Sequence, residues 1–402
     1  MYCFLIIVFW MSILIVCYTY AGYAMLLWLM VKIKEIVKGK PEKSVADDLP
    51  DVTLLVTAYN EKDYVAQKVK NSQELEYPKD KLHLVWVTDG SDDGTPELLK
   101  QYQNVTVFHK PELAGKITAM NRGVKLITTP IIIFSDANTM LGKESVWRIV
   151  NLFANPEVGC VAGEKRVFSN EKDIAAGAGE SLYWKYESFL KRYDARLYSV
   201  VGAAGELFAI RREFHTEVEK DTLLDDFIIS LRIAMQGHIT QYDPEAYACE
   251  NSSANVQEEL KRKIRIAAGG FQSMSRLLPL LNIFKYGILS FQYISHRVLR
   301  WTLAPLSLLL LLASNFVLAL QTGIFSCRMF PVVFWMQITL YLMALLGWFL
   351  EDRHIKLKIL FVPYYFSIMN LAVYLGFFRF IRKKQNVVWE KAKRRVDEKN
   401  EK

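Results

Sequence analysis

The sequence predicts an α/β domain, a mostly parallel sheet flanked by helices, held between N- and C-terminal transmembrane helices. Three observations carry that prediction. Short apolar runs without an amphipathic period alternate with helical patterns between residues 51 and 140, as strands buried on both faces of a parallel sheet do. Each of these runs ends in a polar loop, at the edge where open α/β sheets place their ligands. Residues 1–30 are almost wholly apolar and 301–380 are dominated by Leu, Phe, Tyr and Val, in stretches long enough to cross ~30 Å of hydrocarbon.

The first apolar stretch, residues 1–30, reads as a membrane anchor. A cleaved signal peptide needs a basic start and a short apolar region ending in small residues, and neither is present. Lys32, Lys34, Lys38, Lys40 and Lys43 follow it. Basic flanks stay on the cytoplasmic side, so the N-terminus is expected outside and the domain at 44–275 in the cytosol, at the inner or plasma membrane. Much of the net charge of +8 lies there and between Arg382 and Arg395, so it is a topology signal and nucleic acid is not needed to explain it. The five cysteines form no CxxC pair, which points to a reducing compartment and no zinc site.

Within the domain, residues 51–57 form a first strand ending at Ala58-Tyr59-Asn60-Glu61, and a helix runs from about Lys62 to Leu75. Residues 82–88 form a second strand, stopped by Asp89-Gly90-Ser91-Asp92-Asp93-Gly94 before Thr95-Pro96-Glu97 opens a helix. A third strand, residues 105–108, leads to Gly115-Lys116 at the next helix start. The fourth, Pro130 to Phe134, ends in Ser135-Asp136-Ala137-Asn138. Residues i and i+2 of an extended segment point the same way, so the oxygens of Asp136 and Asn138 can face one hard cation, completed by water and an anion such as a diphosphate. The plainer reading is a strand ending in an Asx turn. Asp89 suits a base or ribose, and Lys116 offers a charge plus free backbone N–H groups to phosphate. Neither G-x-G-x-x-G nor G-x-x-x-x-G-K-[ST] occurs here, which argues against Rossmann and P-loop enzymes.

Thr57-Ala58-Tyr59-Asn60-Glu61, Asp89-Gly90-Ser91, Gly115-Lys116 with Ala119-Met120-Asn121, and Ser135-Asp136-Ala137-Asn138 resemble, in order, the donor motifs of family 2 glycosyltransferases. These are inverting, GT-A-fold enzymes that include cellulose, hyaluronan and poly-N-acetylglucosamine synthases. The resemblance implies donor contacts at Thr57, Tyr59, Glu61, Asp89 and Lys116, and Mg²⁺ or Mn²⁺ at Asp136 and Asn138. The family's metal motif is usually Asp-x-Asp, so Asn138 should weaken metal affinity. Gly202-Ala203-Ala204-Gly205-Glu206 resembles the family's small-residue acceptor loop, with Gly205 and Glu206 as acceptor contacts, and Asp226 matches its catalytic base. Without the resemblance, Asp225 and Asp226 read as partners of a helix start.

A helical pattern over 171–200 carries an aromatic stripe that reads as core; Tyr183 and Trp184 lie off it and are candidates for stacking on an acceptor sugar. Another helix, Gln257 to Arg276, places Arg262 and Arg265 three apart, either as a diphosphate clamp or as a solvated basic face. Processive synthases have Gln-x-x-Arg-Trp here. This chain has Arg262-x-x-Arg265-Ile266, so the resemblance implies short products or transfer of one sugar.

Residues 276–300, interrupted by Pro279 and Lys285, read as an interfacial helix. In 301–380, three stretches each suffice to cross: 302–321, 331–350 and 357–380. Three crossings would put the basic tail, 381–402, outside, against the positive-inside rule. The expectation is a cytosolic tail and one irregular segment, with Pro363 and Asn370 pointing to the last. Together these readings imply a membrane-bound inverting glycosyltransferase that moves a sugar from a nucleotide-sugar, a UDP-sugar by resemblance, to a growing glycan or lipid-linked acceptor. The alternatives are a single-sugar transferase acting on polyprenyl phosphate, a nucleotidyltransferase, and a catalytically silent nucleotide-binding membrane scaffold.

Overall fold

The computed structural model describes residues 2–39, 48–168, 177–251, 256–352 and 358–383. Its centre is an eight-stranded sheet: β1 Val52–Ala58, β2 Leu82–Asp89, β3 Val105–Lys110, β4 Ile131–Asp136, β5 Met140–Leu141, β6 Val158–Phe168, β7 Leu207–Arg211 and β8 Ile239–Asn251. The order is β3-β2-β1-β4-β7-β6-β8-β5. The first four strands are parallel, as their apolar runs predict, with Ala58 opposite Thr88 and Thr57 opposite Asp136. β1 therefore stands between the acidic ends of β2 and β4, which share an edge without being neighbours. The second half is mixed: β7 runs antiparallel between β4 and β6, and β6 pairs with β8 in parallel.

Each face of the sheet is covered. One face packs Val52, Leu54, Trp86 and Ile133 against Val65 and Val69 of the helix Lys62–Gln73 and Val146 and Ile149 of the helix Ser145–Leu152. The other packs Leu55, Ile132 and Phe208 against Met120 of the helix Lys116–Leu126 and Ile228 and Leu231 of the helix Asp225–Met235. Burial on both faces is why every residue of β1 is buried and the strand shows no alternation. The later helices are Gly177–Leu197 and Val256–Arg276; residues 171–176 of the expected first of these lie outside the described residues. The expected interfacial helix is a run of short turns between Leu278 and Trp301, with Leu280, Leu289 and Tyr293 buried in the second core layer and Leu278, Ile283 and Phe284 exposed.

Among the described residues, four helices are long and apolar enough to cross a membrane: Tyr2–Lys38, Leu303–Thr322, Met329–Leu350 and Ile359–Ile381. Their contacts set their directions. At the end of the last helix, Phe377 and Phe380 pack on Phe271 of the helix Val256–Arg276, and Tyr374 donates to the Pro305 carbonyl at the start of Leu303–Thr322. Arg379, Arg382 and Lys383 are thus on the same side as the sheet domain. The helix before the last contacts both of its neighbours. Near its start Phe334 packs on Phe316, and near its end Gly347 packs on Leu360 and Tyr364. At 1.5 Å per residue Phe316 is ~20 Å from the start of its helix at Leu303, and Tyr364 and Leu360 are ~26 and ~32 Å from the end of theirs at Ile381. Pro363 is accommodated inside the helix Lys358–Ile381.

Candidate active site

The loops after β1 and β2 are tied to each other. Asn60, at φ 53°, donates its N–H to Ser91 Oγ at 3.1 Å and its Nδ2 to Asp92 Oδ1 at 2.8 Å. Glu61 N–H reaches Thr95 Oγ1 at 3.1 Å. This leaves Thr57 and Glu61 buried and Tyr59 half-buried at the sheet edge. Asp89 is fully buried at the end of β2. Its Oδ2 accepts from the N–H groups of Ala114 (2.8 Å) and Gly115 (2.7 Å), while its Oδ1 is buried with no hydrogen-bond partner among the described residues. The N–H groups before Lys116 are therefore engaged by Asp89 and not left to a phosphate. Close approach of the two loops needs Gly90: at φ +67°, a Cβ there would lie 2.6 Å from Leu113 Cβ.

Lys116 is the meeting point of the site. Its Nζ lies 2.9 Å from Asp136 Oδ1 and 3.5 Å from Asp225 Oδ2. A Cβ on Gly205 would stand 3.4 Å from Asp226 Oδ2 and 3.8 Å from Lys116 Nζ. Segments predicted to hold donor, metal and acceptor thus converge on one ammonium. Burial opposes the charge of Lys116, but Asp136 and Asp225 outweigh it and hold the amine above its ordinary range. Asp226 is shifted the other way. Burial and the neighbouring Asp225 carboxylate push it up to about 7, against the pull of Lys116.

Asp136 and Asn138 fit a divalent cation. Both are half-exposed while Ala137 and Thr139 are buried, so their oxygens emerge together. Among the described residues no group of three His, Cys, Asp or Glu could hold a metal, which makes a bound diphosphate the natural source of the remaining ligands. Beneath this turn is a residue the sequence reading missed. Lys68 is fully buried and donates to Ser135 Oγ (2.7 Å) and the Thr139 carbonyl (2.6 Å), on either side of the turn. Burial pulls its amine down to about 7, with Asp136 acting against the shift.

Other candidates are placed in a neighbouring ion cluster. Lys165 pairs with both Glu206 and Glu250; Arg262 lies 3.2 Å from Glu250 Oε1 and 3.2 Å from Glu259 Oε2. Burial opposes ionisation of Glu206, but Lys165 holds it below the usual carboxylate range. Lys165 and Lys263 stand 5.5 and 5.2 Å from the ring of Trp184. Arg262 is thus committed to two carboxylates. Arg265 is half-buried and makes no ion pair among the described residues.

Residues 50–269 match the family described as "Glycosyltransferase like family 2". The poly-beta-1,6-N-acetyl-D-glucosamine synthase of Staphylococcus aureus (strain MSSA476) is 24% identical over 252 residues, 61% of this chain and 60% of that protein. The synthase of Staphylococcus epidermidis (strain ATCC 35984) is 22% identical over 256 residues, 62% of this chain and 61% of that protein. The chain thus aligns with about three fifths of the length of these relatives. The mannosyltransferase PcManGT from Pyrobaculum calidifontis, solved with GDP-Man and Mn²⁺, superposes with a TM-score of 0.70 at 21% identity, covering 94% of this chain and 100% of its own. That likeness gives the fold: a GT-A sheet flanked by helices. With more than half its length matched, the chain belongs to the family 2 glycosyltransferases.

Proposed function

We propose that the protein is a membrane-bound, inverting glycosyltransferase that takes N-acetylglucosamine from its UDP conjugate and adds it to a growing glycan or lipid-linked acceptor. The observation that carries this reading is the convergence of Asp136, Asp225, Gly205 and Asp226 on Lys116. The uracil or ribose meets the buried, unpartnered Oδ1 of Asp89, beside the loop that carries Tyr59 and Glu61. Lys116 and Arg265 face the diphosphate. Mg²⁺ or Mn²⁺, held by Asp136 and Asn138, supplies further neutralisation of its charge.

The acceptor hydroxyl lies against Gly205, where the missing side chain admits it. It gives its proton to Asp226 as its oxygen attacks the anomeric carbon opposite the diphosphate. The bond from that carbon to the diphosphate oxygen breaks, and the nucleoside diphosphate leaves with the electron pair. Lys116 stays cationic and offsets the departing charge. The choice of UDP-N-acetylglucosamine rests on the synthases the chain is similar to. The domain faces the cytosol, where nucleotide-sugars are available. The anchor and the exposed Leu278, Ile283 and Phe284 contact membrane lipid, and the tail lies on the same side.

Membranes containing the protein, given a panel of UDP- and GDP-sugars with Mn²⁺, should release UDP from UDP-N-acetylglucosamine. Release from GDP-mannose instead would reassign the donor, and no release from any would favour a silent scaffold. A second reading, transfer of a single sugar to a polyprenyl phosphate, is favoured by Ile266 standing where processive relatives carry an acceptor-stacking Trp. Mass spectrometry of the products separates the two: a ladder of lengths supports a growing glycan, a single addition the lipid.

A further inference from the structure

Behind the acceptor loop lies a buried ion cluster that the reaction above does not use. Glu187 and Asp194, on the helix Gly177–Leu197, are 2 % and 0 % exposed, and His296 between them is 0 % exposed. His296 Nδ1 lies 2.6 Å from Asp194 Oδ2 and its Nε2 3.3 Å from Glu187 Oε1. Arg297 Nη2 reaches Glu187 Oε1 at 2.5 Å and Arg300 Nη1 reaches Glu187 Oε2 at 2.9 Å. Burying so many paired charges is often no more stabilising than packing apolar residues in the same space, so stability alone does not explain the cluster.

Its outward connections do. Arg297 Nε donates to the carbonyl of Val201, just before Gly202-Ala203-Ala204-Gly205, at 3.2 Å. Gln292 Nε2 donates to Asp194 Oδ1 at 3.0 Å, and its Oε1 accepts from Ser199 N–H at 3.4 Å. From the membrane anchor, Tyr23 Oη donates to Asp194 Oδ1 at 2.5 Å. Trp301 packs on Phe227, next to Asp226, with ring centroids 5.5 Å apart. The Phe227 ring in turn covers Gly202, where a Cβ would lie 2.2 Å from it. His296 and Arg297 belong to a π-helical turn, Ile294–Val298, set against a second one in the anchor, Tyr18–Gly22, through Tyr18 Oη and Ser295 Oγ at 2.8 Å. Such turns are rare and gather at functional places.

We propose that Arg297 is a positioning residue for the acceptor loop. Glu187 fixes the guanidinium, the guanidinium fixes the Val201 carbonyl, and the backbone at Gly205 is thereby set against Asp226. Through Asp194, that setting is tied to the membrane anchor. The role needs a planar fork with separate Nε and Nη donors, which a lysine cannot supply from one point charge. The inference rests on the reading of this loop as the acceptor side and of Asp226 as the base.

The test uses the full-length protein in lipid nanodiscs, as wild type, Arg297→Lys and Arg297→Gln. Arg297→Lys keeps the charge beside Glu187, so it should fold even if Arg297→Gln does not. Amide hydrogen exchange over 201–205 should speed up about tenfold or more in Arg297→Lys, while exchange over 113–117 stays unchanged. Affinity for UDP with Mn²⁺ should stay within about twofold, since the site is distant. Transfer from UDP-N-acetylglucosamine to a β-1,6-linked N-acetylglucosamine tetrasaccharide should fall about 10- to 100-fold, the cost of a small misplacement. Wild-type exchange over 201–205 in Arg297→Lys overturns the proposal, because the residue then serves only the ion cluster. Parallel loss of UDP binding also overturns it, because the effect is then not confined to the loop. If the wild type transfers nothing to this acceptor, the functional reading is what fails, and the exchange rates still decide the positioning role.

Discussion

The proposed donor side and the proposed acceptor side of this site are built by different means. On the donor side, Asp89, Lys116 and Asp136 each stand at or just beyond the end of a parallel strand, and neighbouring loops hold them through bonds such as Asn60 to Ser91 and Asp89 to Gly115. On the acceptor side, the loop at 201–205 is held by groups far away in sequence: Arg297 is 96 residues from Val201, and Tyr23 is 171 residues from Asp194. The donor half is therefore a property of the sheet, and the acceptor half is a property of how the sheet is mounted on the membrane segments. Changes on one side should spare the other, and the predictions test that separation.

The largest effect is expected at Asp226. Asp226→Asn keeps the shape and removes the proton acceptor, so turnover should fall about 10²- to 10⁴-fold in steady-state assays. On the donor side, Asp136→Ala removes the one full charge of the metal motif. Calorimetry with UDP and Mn²⁺ should show a loss at least as large as the roughly 10- to 100-fold typical of an outer-shell partner, and Asn138→Asp should tighten Mn²⁺ binding. Arg265→Ala should weaken UDP about tenfold and uridine hardly at all, the value of one charged hydrogen-bonding partner; equal weakening of both would place Arg265 away from the diphosphate.

The smallest effect sharpens the acid–base assignment. With Asp226 raised to about 7, the base is ionised above that pH, so turnover should rise through about pH 7 and be lost as pH falls below it. Asp225 contributes to that shift by repulsion. Asp225→Asn should therefore move the midpoint of the pH–turnover curve downward. An unmoved midpoint would mean that the limb reports another group.

The same contrast governs what the sequence made legible. Apolar runs ending in polar loops located β1 to β4 and placed Asp89, Lys116 and Asp136 on one edge. β7 and the mixed pairing of β6 with β8 were not legible, because a five-residue antiparallel strand and a strand as polar as Ile239–Asn251 carry no clear period. Asp225 was read as a helix-start partner, yet both acids face Lys116. Lys68 carries no sequence signal of its place, yet it is fully buried under the turn at Asp136.

The central claim is that Asp226 serves the acceptor and not the donor, and titrating Asp226→Asn with UDP in the presence of Mn²⁺ tests it most directly. The account predicts an affinity within about twofold of wild type in a variant whose turnover has collapsed. Loss of UDP binding in that variant would contradict it and assign Asp226 to the donor site.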